Sequence, residues 1–154
     1  TPSCSVAEDF SLVDEIRPGN FVFYDLAQYQ ISSCEIDQIA VAVACPIVSL
    51  HPDRNEVVIY GGGVHLSKER LEDEIRRTSF GQVVEKEDDK WGASGEGSFV
   101  KSLSQEHGIV SMPDNQISQY KVGDYLLILP VHSCMTANLM KAYVTTSGRS
   151  ISRL

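Results

Sequence analysis

Tyr125-Leu126-Leu127-Ile128-Leu129-Pro130 is the most apolar strand candidate in the C-terminal half of the chain. It runs directly into Val131-His132-Ser133-Cys134-Met135-Thr136-Ala137-Asn138. The apolar run follows the turn signal of Tyr120-Lys121-Val122-Gly123-Asp124 and reads as a strand, whereas Met135 to Met140 is compatible with a helix. The chain is therefore expected to stop being extended at Pro130 and to bend through His132-Ser133-Cys134.

Working outward, Ser98-Phe99-Val100-Lys101-Ser102-Leu103-Ser104 alternates apolar and polar residues, and Gly108-Ile109-Val110-Ser111-Met112 follows across a short junction. Ile39 to Ser49 alternates large and small apolar residues, as a strand packed on both faces of a small barrel does, with Pro46 expected at an edge or bulge. His51 to Asn55 is a polar connection, and Glu56-Val57-Val58-Ile59-Tyr60 returns as the second arm of a hairpin. Gly81-Gln82-Val83-Val84 and Ala142 to Thr146 add further strands. Asn20-Phe21-Val22-Phe23-Tyr24-Asp25-Leu26, just after the Pro18-Gly19 turn signal, also reads as a strand. A short helix is expected over Ser67 to Arg77 with Ser67 as its N-cap, and a charged loop over Glu85 to Gly97 around Trp91. Gly61-Gly62-Gly63 matches no phosphate-binding fingerprint and reads as a turn or a close backbone approach. Many short strands with scraps of helix imply a mainly-β fold, a small barrel or sandwich.

Composition narrows the function. A length of 154 residues accommodates a real core. A net charge of −8 disfavours a protein that tracks a nucleic-acid backbone. No run approaches the ~18 apolar residues of a membrane span, and no signal peptide is visible, so a cytoplasmic setting is expected. Cys4, Cys34, Cys45 and Cys134 are far apart with no CxxC, which favours reduced thiols over a disulfide framework. The chain starts at Thr1-Pro2-Ser3-Cys4 without Met and reads as cut from something longer.

The chemistry concentrates at His132 and Cys134. On an extended strand, residues i and i+2 share a face but stand roughly 6.5 to 7 Å apart, so a bend must bring the two side chains together. Near a helix start, Cys134 would favour its thiolate, and imidazole plus thiolate suits Zn²⁺. Two protein ligands cannot close a structural zinc site, so a metal held here would keep positions open for water or substrate. The residues alone leave other readings open. Cys134 can be a buried thiol, or a nucleophile paired with His107 or His132. His107, beside Glu106, can be a third ligand, an acid/base or a core histidine. His65 and His51 read as core or loop residues, and Cys4, Cys34 and Cys45 as incidental thiols.

Taken together, Thr1-Pro2-Ser3-Cys4, Glu15-Ile16-Arg17-Pro18-Gly19-Asn20-Phe21-Val22-Phe23-Tyr24-Asp25, Gln105-Glu106-His107-Gly108, Val122-Gly123-Asp124 and Pro130-Val131-His132-Ser133-Cys134-Met135-Thr136 resemble the C-terminal domain of the D-serine dehydratase and D-threonine aldolase family. These are fold type III pyridoxal phosphate enzymes, relatives of alanine racemase, in which an N-terminal α/β barrel carries the cofactor lysine and a β-domain follows. The resemblance implies that residues 1–14 are the tail of that barrel and its linker, and that 15–154 form the β-domain with the metal site. It implies that His132 and Cys134 bind Zn²⁺ or another divalent ion, with Cys at the second position pointing to the dehydratase-like branch. Thr1 and Ser3 match the remnant of the loop that cradles the cofactor phosphate.

The implied partners are the chain's own N-terminal barrel, a small D-amino acid substrate and a second subunit in a homodimer. The implied reaction is β-elimination or aldol cleavage of a β-hydroxy D-amino acid, in which pyridoxal phosphate acts as electron sink and the metal meets the β-hydroxyl. No lysine of this chain matches the cofactor lysine, so no catalytic residue is assigned and the chain by itself is expected to be inactive. Phe21, and the segment Gly61 to Lys68, depart from the best-known dehydratases and leave the substrate open. A free-standing, non-catalytic β-barrel binding module and an amino-acid racemase-like domain are the alternative readings.

Overall fold

The computed structural model describes residues 3–17, 19–72, 76–88, 90–93 and 97–152. In chain order the elements are α1 (Ser3–Val6), α2 (Leu26–Gln30), β1 (Val43–His51), β2 (Glu56–Tyr60), α3 (Gly63–Leu66), β3 (Leu71–Glu72) and β4 (Thr78–Ser79). They continue with β5 (Gly81–Glu87), β6 (Lys90–Ala93), β7 (Phe99–Leu103), β8 (His107–Ser111), α4 (Asp114–Ile117), β9 (Tyr125–Pro130), α5 (Ser133–Leu139), β10 (Ala142–Val144) and β11 (Ser150–Ser152).

Six of these strands close on themselves in the order β5-β7-β8-β2-β1-β9, with β9 returning to β5 and β6 hanging from β5 as a hairpin arm. All of these pairings are antiparallel. Closure removes the free edges that an open sheet of short strands would expose. The mainly-β barrel expected from the strand pattern is the fold observed.

Alternation explains the packing. Cys45, Ile47, Val57, Ile59, Val83, Val100, Val110, Leu126 and Ile128 form the barrel interior, closed by Leu66, Met112 and Ile117. A second core lies outside the barrel wall, where Val84 and Leu129 meet Leu26, Cys34, Ile39 and Val131. Strand β9 is so apolar because it is buried on both faces, with Leu126 and Ile128 turned inward and Leu129 turned toward the second core. Pro46 forms the last pair of the β1–β9 ladder, and β1 has a register shift between Ile47 and Ser49. The expected bulge lies just beyond the proline.

Three local expectations are corrected. Asn20 to Leu26 is not a strand. Residues 20–23 form a turn, Tyr24 has φ 50°, and α2 starts at Leu26 because the Asp25 carboxylate accepts from the Gln28 amide at 3.0 Å as its N-cap. The expected helix over Ser67 to Arg77 also fails, because Ser67 ends α3 rather than starting a helix. Its φ of 65° is left-handed and its Oγ accepts from the Glu69 amide at 3.3 Å, a local turn that competes with helix. Leu71–Glu72 then pairs with Thr78–Ser79 as a small ribbon, and residues 73–75 lie outside the described ones. The expected loop around Trp91 is instead the β5–β6 hairpin, pinned by the Trp91 indole N–H donating to the Ile39 carbonyl and by Lys90 Nζ at 3.2 Å from Asp37. Pro18 of the expected turn lies outside the described residues.

Candidate functional site

Strand β9 ends at Pro130 and α5 begins at Ser133, so the expected bend falls on Val131-His132. His132 is the N-cap residue, with φ −132° and ψ 98°, and Cys134 lies in the first turn of α5. The two donors therefore do not occupy one extended strand.

Ser133, fully buried between them, fixes the bend. Its amide donates to Asp25 Oδ2 at 2.9 Å and its hydroxyl donates to Asn20 Oδ1 at 2.8 Å. Asn20 Nδ2 donates in turn to Asp25 Oδ2. The Asp25 carboxylate, 1% exposed, thus accepts from Asn20, Gln28 and Ser133 at once, which is how a buried charge is made tolerable. The Ala27 amide donates to the Val131 carbonyl at 3.3 Å, tying α2 to the same bend. The Asn-x-x-x-x-Asp segment misread as a strand is the brace of the His-x-Cys turn.

Outside that brace, the two donors reach the surface. Cys134 is exposed, and the His132 side chain is about one-third exposed. His132 Nδ1 stands 3.0 Å from Glu69 Oε2, which leaves Nε2 as the ring nitrogen outside that ion pair. An imidazole, a thiol and a carboxylate behind the imidazole are the donor chemistry of a zinc or similar divalent site. Among the described residues, no three His, Cys, Asp or Glu side chains form a ready-made metal cage.

The remaining candidates go elsewhere. His65 and His107 pack on Tyr60, with ring centroids 4.8 and 5.7 Å away, so His107 joins an aromatic group. His65 Nδ1 accepts from the Gly62 amide at 3.2 Å. Helix α3, which carries His65, packs against α5. His51 is spent on Ser49 Oγ at 2.9 Å. Cys45 and Cys34 are core thiols: burial pushes Cys45 up to about 12, and burial followed by the Asp25 carboxylate raises Cys34. The Gly61-Gly62-Gly63 run is a close approach, since a Cβ on Gly62 would lie 2.5 Å from the Gln105 carbonyl oxygen and the His107 amide nitrogen. Thr1 and the side chain of Ser3 lie outside the described residues. Among the described residues no helix is long and apolar enough to cross a membrane.

Residues 40–146 match the family described as "Putative serine dehydratase domain". The chain belongs to this serine dehydratase domain family. It is 35% identical over 152 residues to a D-serine dehydratase of Dictyostelium discoideum, covering 93% of this chain and 37% of that protein. The D-threo-3-hydroxyaspartate dehydratase from Delftia sp. HT23 superposes with a TM-score of 0.79 at 26% identity, over 99% of this chain and 41% of that one. An alanine racemase-like protein from Idiomarina loihiensis gives a TM-score of 0.79 at 29% identity, over 97% of this chain and 40% of its own. The serine dehydratase domain seen here therefore spans about two-fifths of the length of these relatives. Solved structures of the hydroxyaspartate dehydratase include a His→Ala variant and a Cys→Ala variant two positions apart, the latter in a metal-free form.

Proposed function

We propose that this chain is the metal-holding β-domain, over residues 15–154, of a pyridoxal-phosphate-dependent lyase acting on a β-hydroxy D-amino acid, with dehydration as the reaction. His132 and Cys134 would be the protein ligands of Zn²⁺ or another divalent ion. The observation that carries the reading is the pair of solvent-reaching donors, His132 and Cys134, on either side of the buried, hydrogen-bonded Ser133, with Glu69 beside Nδ1 of His132. The His and Cys positions varied in the hydroxyaspartate dehydratase, with the same two-residue spacing and a metal-free form, support it.

When bound, the metal would supply Lewis acidity toward a substrate hydroxyl and pyridoxal phosphate an electron sink. The work of this chain is positional. Asp25 and Asn20 hold the Ser133 backbone, so His132 and Cys134 are presented at the start of α5 with little conformational freedom left to lose on binding. The His132 imidazole would offer Nε2 and Cys134 its sulfur to a divalent ion. Two ligands leave coordination positions for a substrate oxygen. Thr1 and Ser3 would meet the cofactor phosphate, residues 1–14 would join this domain to an N-terminal cofactor-binding barrel, and a homodimer in a reducing, cytoplasmic setting completes the proposal.

The test is turnover of the full-length protein on D-serine, D-threo-3-hydroxyaspartate and D-threonine, before and after a chelator. Metal removal is expected to suppress elimination far more than substrate binding, and His132→Ala to do the same. Full turnover by His132→Ala with no bound metal would sink the assignment. Metal binding without turnover on any β-hydroxy D-amino acid would favour the binding-module reading instead.

A further inference from the structure

We infer that Glu69 is a positioning residue that selects Nε2 of His132 as the nitrogen presented to a metal; the inference rests on His132 being a metal ligand. A neutral imidazole carries one proton, on either ring nitrogen, and only the bare nitrogen can ligate. Glu69 Oε2 is 3.0 Å from His132 Nδ1, an ion-pair distance at which a carboxylate, having only acceptors, disfavours a bare lone pair on Nδ1 and favours a proton there. The proton is thereby held on Nδ1 and the lone pair on Nε2.

Glu69 is itself held in place by the segment that leads to it. Gly62, whose Cβ position is filled by the backbone at Gln105 to His107, starts α3, and α3 packs against α5. Ser67 then leaves the helix with φ 65° and anchors the Glu69 amide through its Oγ at 3.3 Å. This left-handed turn aims the carboxylate across to the N-cap of α5. The contact joins the segment after β2 to the end of β9, 63 residues apart by number (132 − 69), and no local motif announces it.

The pair is worth little to folding, because the side chains are 35% and 50% exposed. Substitution should therefore leave the fold intact and report on the ring. In protein labelled with ¹⁵N-histidine and stripped of metal, with His132 assigned through His132→Gln, the wild-type ring is expected to show a protonated Nδ1 and a bare Nε2. Glu69→Ala should shift it toward the Nε2-protonated tautomer and weaken Zn²⁺ binding, read by chelator competition, about 10-fold or more. Glu69→Gln, whose amide oxygen can accept from Nδ1 but carries no charge, should recover part of both. An unchanged tautomer with unchanged affinity in Glu69→Ala would overturn the inference. So would equal loss in the Gln and Ala variants with the tautomer intact, which would make Glu69 a direct ligand. Absence of Zn²⁺ binding by the wild type, with the expected tautomer present, would instead remove the metal reading and leave the tautomer-selecting role standing.

Discussion

Asp25 governs the candidate site more than either exposed donor does, because three donors end on one buried carboxylate. Removing it strands the amides of Gln28 and Ser133 and the side chain of Asn20. Asp25→Ala is therefore expected to cost about 2–3 kcal/mol in urea unfolding, and to loosen the His132-Ser133-Cys134 turn as well. A loss below about 0.5 kcal/mol would show that water replaces the carboxylate, contrary to its burial. The cysteines sort by environment in the same way. Cys134 is exposed and should take up a thiol reagent in the native protein, with Zn²⁺ protecting it, whereas buried Cys45 should react only on unfolding. Because burial raises the Cys45 value to about 12 from 9.0, the unfolded chain loses this proton first as pH rises. Its contribution is complete below pH 9 and declines as pH climbs toward 12, and Cys45→Ala should flatten that part of the stability profile. At this scale the bend through His132-Ser133-Cys134 was legible in the sequence, whereas the metal-ligand reading of His132 and Cys134 came from the family resemblance and not from their spacing. Asn20, Asp25 and Glu69 were not, since Ser133 is separated from Asp25 by 108 positions and from Asn20 by 113.

Among the elements, strands whose apolar pattern reflects barrel packing were the legible ones. The expected Tyr125 to Pro130 and Glu56 to Tyr60 strands are β9 and β2 to the residue, while the expected Ile39 to Ser49, Ser98 to Ser104 and Gly108 to Met112 strands and the helix read from Met135 appear as β1, β7, β8 and α5 with ends shifted by one to four residues. Failures occur where a polar side chain, not apolar periodicity, decides the backbone: Asp25 capping α2, Ser67 turning the chain out of α3, and the Trp91 indole pinning β6. The glycine run shows the same logic through space rather than bonding. A methyl on Gly62 would meet backbone atoms at 2.5 Å, which have no room to retreat. One on Gly63 would press on the flexible Lys68 side chain at 3.3 Å and sit in ordinary contact with the Ser104 carbonyl oxygen at 3.5 Å, at a helical position where Ala is favoured. Gly62→Ala should lower stability by about 1–3 kcal/mol and disturb the Tyr60, His65 and His107 rings. Gly63→Ala should stay within about 0.5 kcal/mol of wild type. Thermal melts of the two variants side by side decide it, and equal losses would refute the distinction.

For the whole molecule, the decisive feature is that the barrel is closed and yet has a second core on its outer wall. Leu26, Cys34 and Ile39 cover β5 and β9 from outside, which brings Asn20 and Asp25 to the end of β9, while the chain after β2 brings Glu69 there from the other direction. A ligand on His132 and Cys134 would therefore lean on three segments distant in sequence, each rooted in a different part of the core. Binding to such a site should stabilise the domain as a unit. At a free Zn²⁺ concentration 100 times its dissociation constant, linkage gives about 2.7 kcal/mol, provided the unfolded thiols bind weakly. For a chain of this size that corresponds to a rise of about 5–10 °C in a single cooperative transition. Cys134→Ala should melt near the metal-free wild type and lose the rise, because its side chain is exposed and its removal leaves both cores intact. An equal rise in Cys134→Ala would mean that Zn²⁺ acts through other side chains, and a biphasic melt would mean that the three segments do not unfold together.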